Sequence, residues 1–241
     1  MLPAKVIVAV LAGIAGVALT TSLGNWQTRR GDEKAARQAQ WDDALARAPR
    51  IIASGAHAAA VARELPQRVK ANGAFLPEAT VYIDNRLVDG VAGFQVVTPL
   101  AVADGMPWVL VNRGWAPRKM ADRAEVPMAP VSSAPVQIEG VAVTHVPRVL
   151  ELGADSGSLR GFWQNLDFDA YERASGHKVA RFVVQQTNDT GDGLRRVWQR
   201  PDAGVDKHRG YAFQWYSLAA LIAGLTLYFG GKALRSDTGR A

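Results

Sequence analysis

Apolar residues pile up at the two ends of this chain and alternate with polar ones between them. Residues 6–23 form an uncharged run of 18, rich in Ala, Val, Leu and Gly. As a helix rising 1.5 Å per residue it reaches about 27 Å, enough to cross the hydrocarbon core of a bilayer. The run is apolar on every side, which argues against a half-buried core helix. A cleaved signal peptide would share its length and its preceding Lys5, but no well-placed small-x-small cleavage site occurs near residues 20–24. A retained anchor is the expectation. Residues 210–231 form a second uncharged run, 22 residues between Arg209 and Lys232. Tyr211, Phe213, Trp215 and Tyr216 stand at one end of it, and Tyr228 and Phe229 at the other, the pattern of interfacial aromatic belts.

Lys5 precedes the first run, and Lys232, Arg235 and Arg240 follow the second, so the positive-inside rule places both termini in the cytoplasm. Arg29, Arg30, Lys34 and Arg37 oppose this from the far side of the first run. Long connecting segments translocate largely regardless of charge, however. The expected organisation is a cytoplasmic N-terminus 1–5, a transmembrane helix 6–23, an extracytoplasmic domain 24–209, a transmembrane helix 210–231 and a cytoplasmic tail 232–241.

In the middle, residues 33–48 read as an amphipathic helix continuing from the first span and ending before Pro49. An Ala-rich stretch at 53–64 holds a short helix. From residue 67 the period changes: Val69, Ala71, Gly73 and Phe75 alternate with polar residues. Further strand-like runs follow at 81–86, 94–100, 108–114, 136–143, 162–166 and 179–186, separated by Gly, Pro and Asp. Short strands at this spacing predict an antiparallel sheet or a small barrel. Residues 167–175 read as a short helix with Asp167 as N-cap, and 120–135 and 154–160 as loops. The expected class is therefore a membrane protein, α+β, with two terminal spans flanking a β-rich extracytoplasmic domain.

Composition narrows the function. The net charge is +6, but the basic residues are scattered among acids, with no Lys/Arg block, so nucleic acid is not an expected partner. There is no cysteine, which excludes disulfides, thiol nucleophiles and cysteine-based metal sites. The four histidines, His57, His145, His177 and His208, include no pair at helical metal-ligand spacing. No nucleophile elbow, Walker loop or dinucleotide fingerprint occurs. Asp167 and Asp169 diverge on a helix, and capping with solvation accounts for them. The chain offers no self-contained catalytic site and is not expected to be an enzyme.

The chemistry that remains lies where the two spans meet the outer interface. His208, Tyr211, Trp215, Leu218 and Ile222 fall on one helical stripe. Trp26 leaves the first span with Arg29 and Arg30 beside it, and Arg209 stands at the second. An imidazole, aromatic walls and arginines suit haem iron, macrocycle and propionates. An aromatic anchor belt at the water boundary accounts for the same residues.

At these residues the chain resembles the surfeit locus protein 1 family, assembly factors of cytochrome c oxidase. Leu23-Gly24-x-Trp26-Gln27-x-x-Arg30-x-x-x-Lys34 is similar to the family's segment after the first span. Val109-Leu110-Val111-Asn112-Arg113-Gly114-Trp115 resembles its central motif, and Gly93-Phe94 through Thr98-Pro99-Leu100 the strand before it. His208-x-x-Tyr211-x-x-x-Trp215-Tyr216 resembles the start of its second span. The resemblance covers residues 23–229. It implies an extracytoplasmic domain, periplasmic in a bacterial inner membrane, and a role in inserting haem A into oxidase subunit I. Subunit I, haem A synthase and the lipid bilayer are the implied partners. The resemblance makes His208 the candidate haem-iron ligand, with Tyr211, Trp215, Trp26 and Arg30 around the haem. The alternative is a scaffold for subunit I that binds no haem. Where the family often has an aromatic residue before the lysine, Gly31-Asp32-Glu33 stand here. Arg113 and Trp115 either dock on the oxidase or serve the fold, with Gly114 as a bend. Arg86 carries the same two readings. The lack of a transit peptide ahead of the first span points to a bacterial source.

Overall fold

The computed structural model describes residues 4–118, 131, 133–149, 157–198 and 204–238. They form two compact units, one of residues 1–40 with 200–241 and one of residues 41–199. The first unit is a pair of long helices. Helix α1 runs Ala4–Ala46, 43 residues without a break. At 1.5 Å per residue that is about 65 Å, roughly twice the hydrocarbon thickness of a bilayer. The expected span and the expected amphipathic helix are thus one element, because no proline stands between Pro3 and Pro49 to stop it. The last helix, Val205–Thr238, starts ahead of residue 210 and passes beyond 231. Both are long and apolar enough to cross a membrane. Their large apolar side chains, such as Leu19, Leu221 and Leu227, are exposed, as in segments solvated by lipid tails.

The second unit is a sheet with two short helices. In chain order it holds β1 (Arg50–Ile52), α2 (Gly55–Arg63), β2 (Gln67–Phe75), β3 (Val81–Val88), β4 (Val91–Ala101), β5 (Trp108–Pro117), β6 (Pro135–Val143), β7 (Phe162–Trp163), α3 (Phe168–Ser175) and β8 (Val179–Gln186). The helix Val205–Thr238 is α4. The strand order is β1-β2-β6-β8-β5-β4-β3-β7, and β2 also pairs with β4. That extra pairing, Ala74 opposite Ala101 and Phe75 opposite Leu100, closes β2, β6, β8, β5 and β4 into a ring. The domain is therefore a small five-stranded barrel, with β1, β3 and β7 extending from it. Closure needs a glycine at the joint: a Cβ on Gly73 would lie 3.0 Å from Leu100 Cγ and from the Ala101 carbonyl carbon.

Alternation along the strands sorts the core. Val109 and Val111 face one cluster and Leu110 the other. The first cluster draws on all five ring strands and fills the interior, with Ala58 and Val61 of α2 packed against it. The second lies on the opposite face of the sheet, where Tyr171 of α3 and Trp163 of β7 pack with Ile83, Leu110 and Val183. Helix α3 is capped as its sequence predicts. The Asp167 carboxylate accepts from the Ala170 N–H at 2.7 Å, and Gly176 ends the helix at φ 70°.

Several expectations change. Strand β1 was not anticipated, because three residues after a proline give no readable alternation. The run 162–166 keeps only two strand residues. The sheet is mixed: β1–β2, β3–β7 and β5–β8 pair in parallel. The expected loop 120–135 lies largely outside the described residues, and the described part of 154–160, residues 157–160, is turn without helix or strand.

Candidate functional site

The helix pair carries the candidate site. Along α1 the less exposed positions include Val10, Gly13, Val17, Thr20, Gly24, Gln27, Gly31 and Lys34, at alternating steps of four and three. Along α4, His208, Ala212, Trp215, Ala219, Ile222 and Thr226 repeat the same steps. Steps averaging 3.5 define a left-handed coiled-coil seam. The helices run antiparallel: Gly230 meets Val10, Ile222 meets Gly16, Tyr216 meets Gly24, and His208 meets Gly31. Small residues let the backbones approach, as membrane helix pairs require. At Gly24 the approach is closest to an aromatic ring, since a Cβ there would lie 2.6 Å from Tyr216 Cε1. The Tyr216 hydroxyl donates to Asn25 Oδ1 at 2.7 Å, and 3.3 Å separates it from Thr28 Oγ1.

One seam contact has chemical consequences. His208 Nδ1 lies 2.7 Å from Gln27 Oε1. The amide oxygen has no proton to give, so Nδ1 donates, and the lone pair of the neutral imidazole sits on Nε2. A partner on one ring nitrogen that fixes the tautomer and the ring plane is the usual support for a metal-ligating histidine. Beside the ring lies a cleft of about 520 Å³, lined by Gln27, Lys34, Gly204, Lys207, His208 and Tyr211. One imidazole nitrogen, one phenol ring and two ammonium groups can hold a metal-centred ring that carries carboxylates.

The predicted residues divide. His208 and Tyr211 come together in the cleft. Trp215 is half-buried on the seam, two turns further along α4. Tyr211 and Leu218 flank the seam and are exposed, so the predicted stripe is split by the packing of α4 on α1. Trp26 is exposed on α1 and does not line the cleft. Arg30 turns to Glu33 at 2.9 Å, and Arg29 and Arg209 are exposed. The cations that line the cleft are Lys34 and Lys207 instead. Lys34 was in the motif but had no assigned role, and Lys207 had only its position before His208 as a signal. Gly31, where an aromatic residue was expected nearby, faces the His208 Cβ.

In the β unit, Arg113 and Trp115 are interior residues. The pairing of β4 with β5 skips Arg113, a bulge that re-aims its side chain. The guanidinium, 2% exposed, donates to Asp192 Oδ2 at 3.0 Å. Burial pushes its pKa down and Asp192 opposes the shift. Asp192 also receives Arg196 at 2.8 Å and the Leu194 N–H at 3.2 Å. Burial alone would raise the Asp192 carboxyl. The Leu194 N–H and the two arginines outweigh it and hold the carboxyl below its ordinary range. Trp115 Nε1 donates to the Arg86 carbonyl at 2.8 Å. These contacts tie β5 to β3 and to the segment after β8.

The SURF1 family model matches residues 14–220, from within the first span to within the second. A SURF1-like protein of Monosiga brevicollis is 25% identical over 89% of this chain and 84% of its own length. A SURF1-like protein of Mycobacterium bovis is 31% identical over 70% of this chain and 62% of its own length. Every strand of the β unit and the Trp26-Gln27, Asn112-Arg113-Gly114-Trp115 and His208-x-x-Tyr211 motifs lie inside the matched stretch, and the chain belongs to the SURF1 family.

Proposed function

We propose that this chain is a membrane-anchored assembly factor of a haem–copper oxidase, holding haem A as cargo at the outer end of its helix pair for delivery to catalytic subunit I. Membership of the SURF1 family carries the general role in oxidase assembly. The haem part rests on one observation, the Gln27 contact that leaves the His208 Nε2 lone pair for iron. In this reading Lys34 and Lys207 take the propionates and Tyr211 packs on the macrocycle. A single imidazole and a cleft open to its surroundings suit a cargo that must leave again. The β domain stands in the periplasm, both termini in the cytoplasm of the inner membrane, and haem A synthase is the donor.

A second reading has its own support. The His208–Gln27 contact also pins α1 to α4, so the histidine could serve a scaffold that stabilises subunit I without haem. Replacement by glutamine separates the two. His208→Gln keeps a side chain able to bond Gln27 but offers no imidazole. The carrier reading predicts loss of the haem a signal from membranes while the variant accumulates normally. An unchanged haem a signal at equal protein level leaves the scaffold reading standing.

A further inference from the structure

The seam between α1 and α4 is not filled evenly. At the end where α1 begins and α4 finishes it leaves a slot of about 420 Å³, between residues 5–10 of the first helix and residues 225–233 of the second. The slot exists because Ala9, Gly230 and Ala233 put no bulk where larger side chains would meet. A Cβ on Gly230 would meet only Val10 Cγ2, at 3.5 Å. Deeper along the pair the gap closes. There the Thr226 side chain lies directly against Gly13, where a Cβ would overlap it. Thr226 is itself fixed, since its hydroxyl donates to the Ile222 carbonyl at 2.7 Å.

The slot is apolar along its length and cationic at its mouth. Leu225 and Phe229 form its walls and are 48% and 61% exposed, so it opens onto the lipid phase. Lys5 lines the mouth, is exposed, and has no ion-pair partner among the described residues. Lys232 and Arg235 follow within two turns of Phe229 and are exposed as well. The sequence from 1 to 23 holds no acidic residue, and that from 210 to 241 holds one, Asp237.

Shape and charge together select the occupant. Residues 225–233 rise about 12 Å, so the slot stays within one leaflet of a hydrocarbon core about 30 Å thick. A further transmembrane helix packs along the whole span, and a slot closed at Gly13 cannot seat one. A second copy related by a two-fold axis would bring its own Lys5, Lys232 and Arg235 against these. A single acyl chain is thin enough for the slot, and an anionic headgroup complements its mouth. We infer that this slot binds one anionic phospholipid of the cytoplasmic leaflet, with an acyl chain between Ala9 and Phe229 and its phosphate on Lys5. The inference rests on the membrane-anchored reading with both termini in the cytoplasm, and is independent of haem.

The test titrates the detergent-solubilised full chain with phosphatidylglycerol and with phosphatidylcholine of matched acyl chains, and counts bound lipid by native mass spectrometry. The wild type is expected to take one phosphatidylglycerol, at least about fivefold tighter than phosphatidylcholine. Lys5→Gln removes that preference. Arg29→Gln, which takes an exposed cation from the other end of the helix pair, leaves it unchanged. Ala9→Leu fills the slot from an exposed position and weakens both lipids by roughly tenfold. Equal affinity for the two lipids, or the same loss in Lys5→Gln and Arg29→Gln, overturns the inference. So does a dimer that Ala9→Leu dissolves, which would make a second copy the occupant. Anchoring is read separately, as retention of the chain in carbonate-washed membranes. A chain that stays there yet shows no lipid preference overturns the slot alone.

Discussion

Removing the Asp192 carboxylate should damage the β domain more than any surface change. Its two oxygens receive Arg113 at 3.0 Å, Arg196 at 2.8 Å, the Thr190 hydroxyl at 3.2 Å and the Leu194 N–H at 3.2 Å. The Arg113 and Asp192 side chains are each 2% exposed, so water cannot replace what is lost. Asp192→Ala removes the carboxylate that pairs with buried Arg113 and with Arg196, and breaking a buried pair in this way costs about 3–5 kcal/mol. For a domain of this size each kcal/mol lowers Tm by roughly 2–4 °C, so the transition should fall by about 6–20 °C. The assay is thermal unfolding of the full chain in detergent, followed by tryptophan fluorescence. The control is Glu78→Ala, whose partner Arg160 lies 3.0 Å away with both side chains largely exposed. That pair is worth at most about 1 kcal/mol. Equal Tm values for the two variants would refute the idea that the Arg113–Asp192–Arg196 cluster holds β5 to the segment after β8.

The same carboxylate gives an acid signature: its folded pKa is depressed, so its contribution is present above the ordinary carboxylate range near about 4 and is lost as pH falls through the folded value. Wild-type stability should therefore drop below about pH 4 more steeply than that of Asp192→Ala, and parallel curves would contradict the assignment. Gly24→Leu drives a side chain into the Tyr216 ring, an overpacking worth about 1–3 kcal/mol. It should reduce the cross-linking yield between cysteines placed at positions 10 and 230, and an unchanged yield would show that the seam does not pack through Gly24. Asp167→Ala removes the N-cap of α3 and should cost about 1 kcal/mol, read as a small fall in Tm.

The terminal spans were legible because membrane solvation demands long apolar runs, and the strands because one-sided burial writes a period of two into the sequence. The cap on α3 was legible for a local reason, an Asp three residues ahead of the N–H it accepts from. Long-range features were not. Ring closure at Phe75–Leu100 and the parallel β5–β8 pairing join segments whose own patterns carry no mark of the partner. The bulge at Arg113 looks like any other strand residue until the register is seen. At the candidate site the sequence put His208 and Tyr211 side by side, as the cleft does, but it pointed to Arg29, Arg30 and Arg209 where Lys34 and Lys207 line the cleft, and its stripe included Tyr211 and Leu218, which flank the seam. An apolar helix has no polar face to show which side meets its neighbour. The small residues at Gly13, Thr20 and Gly24 were the available signal, and they turn His208 toward Gln27 while leaving Tyr211 at the edge.

The most direct test is the haem content of the detergent-purified chain, coexpressed with the haem A pathway, beside His208→Ala and Gln27→Leu. The account predicts roughly stoichiometric haem A on the wild type, none on His208→Ala, and a reduced amount on Gln27→Leu, whose imidazole has lost the partner that fixes its tautomer, by about 10–100-fold in affinity. Equal haem on the wild type and His208→Ala, or none on the wild type while it still copurifies with the oxidase subunit, would contradict it.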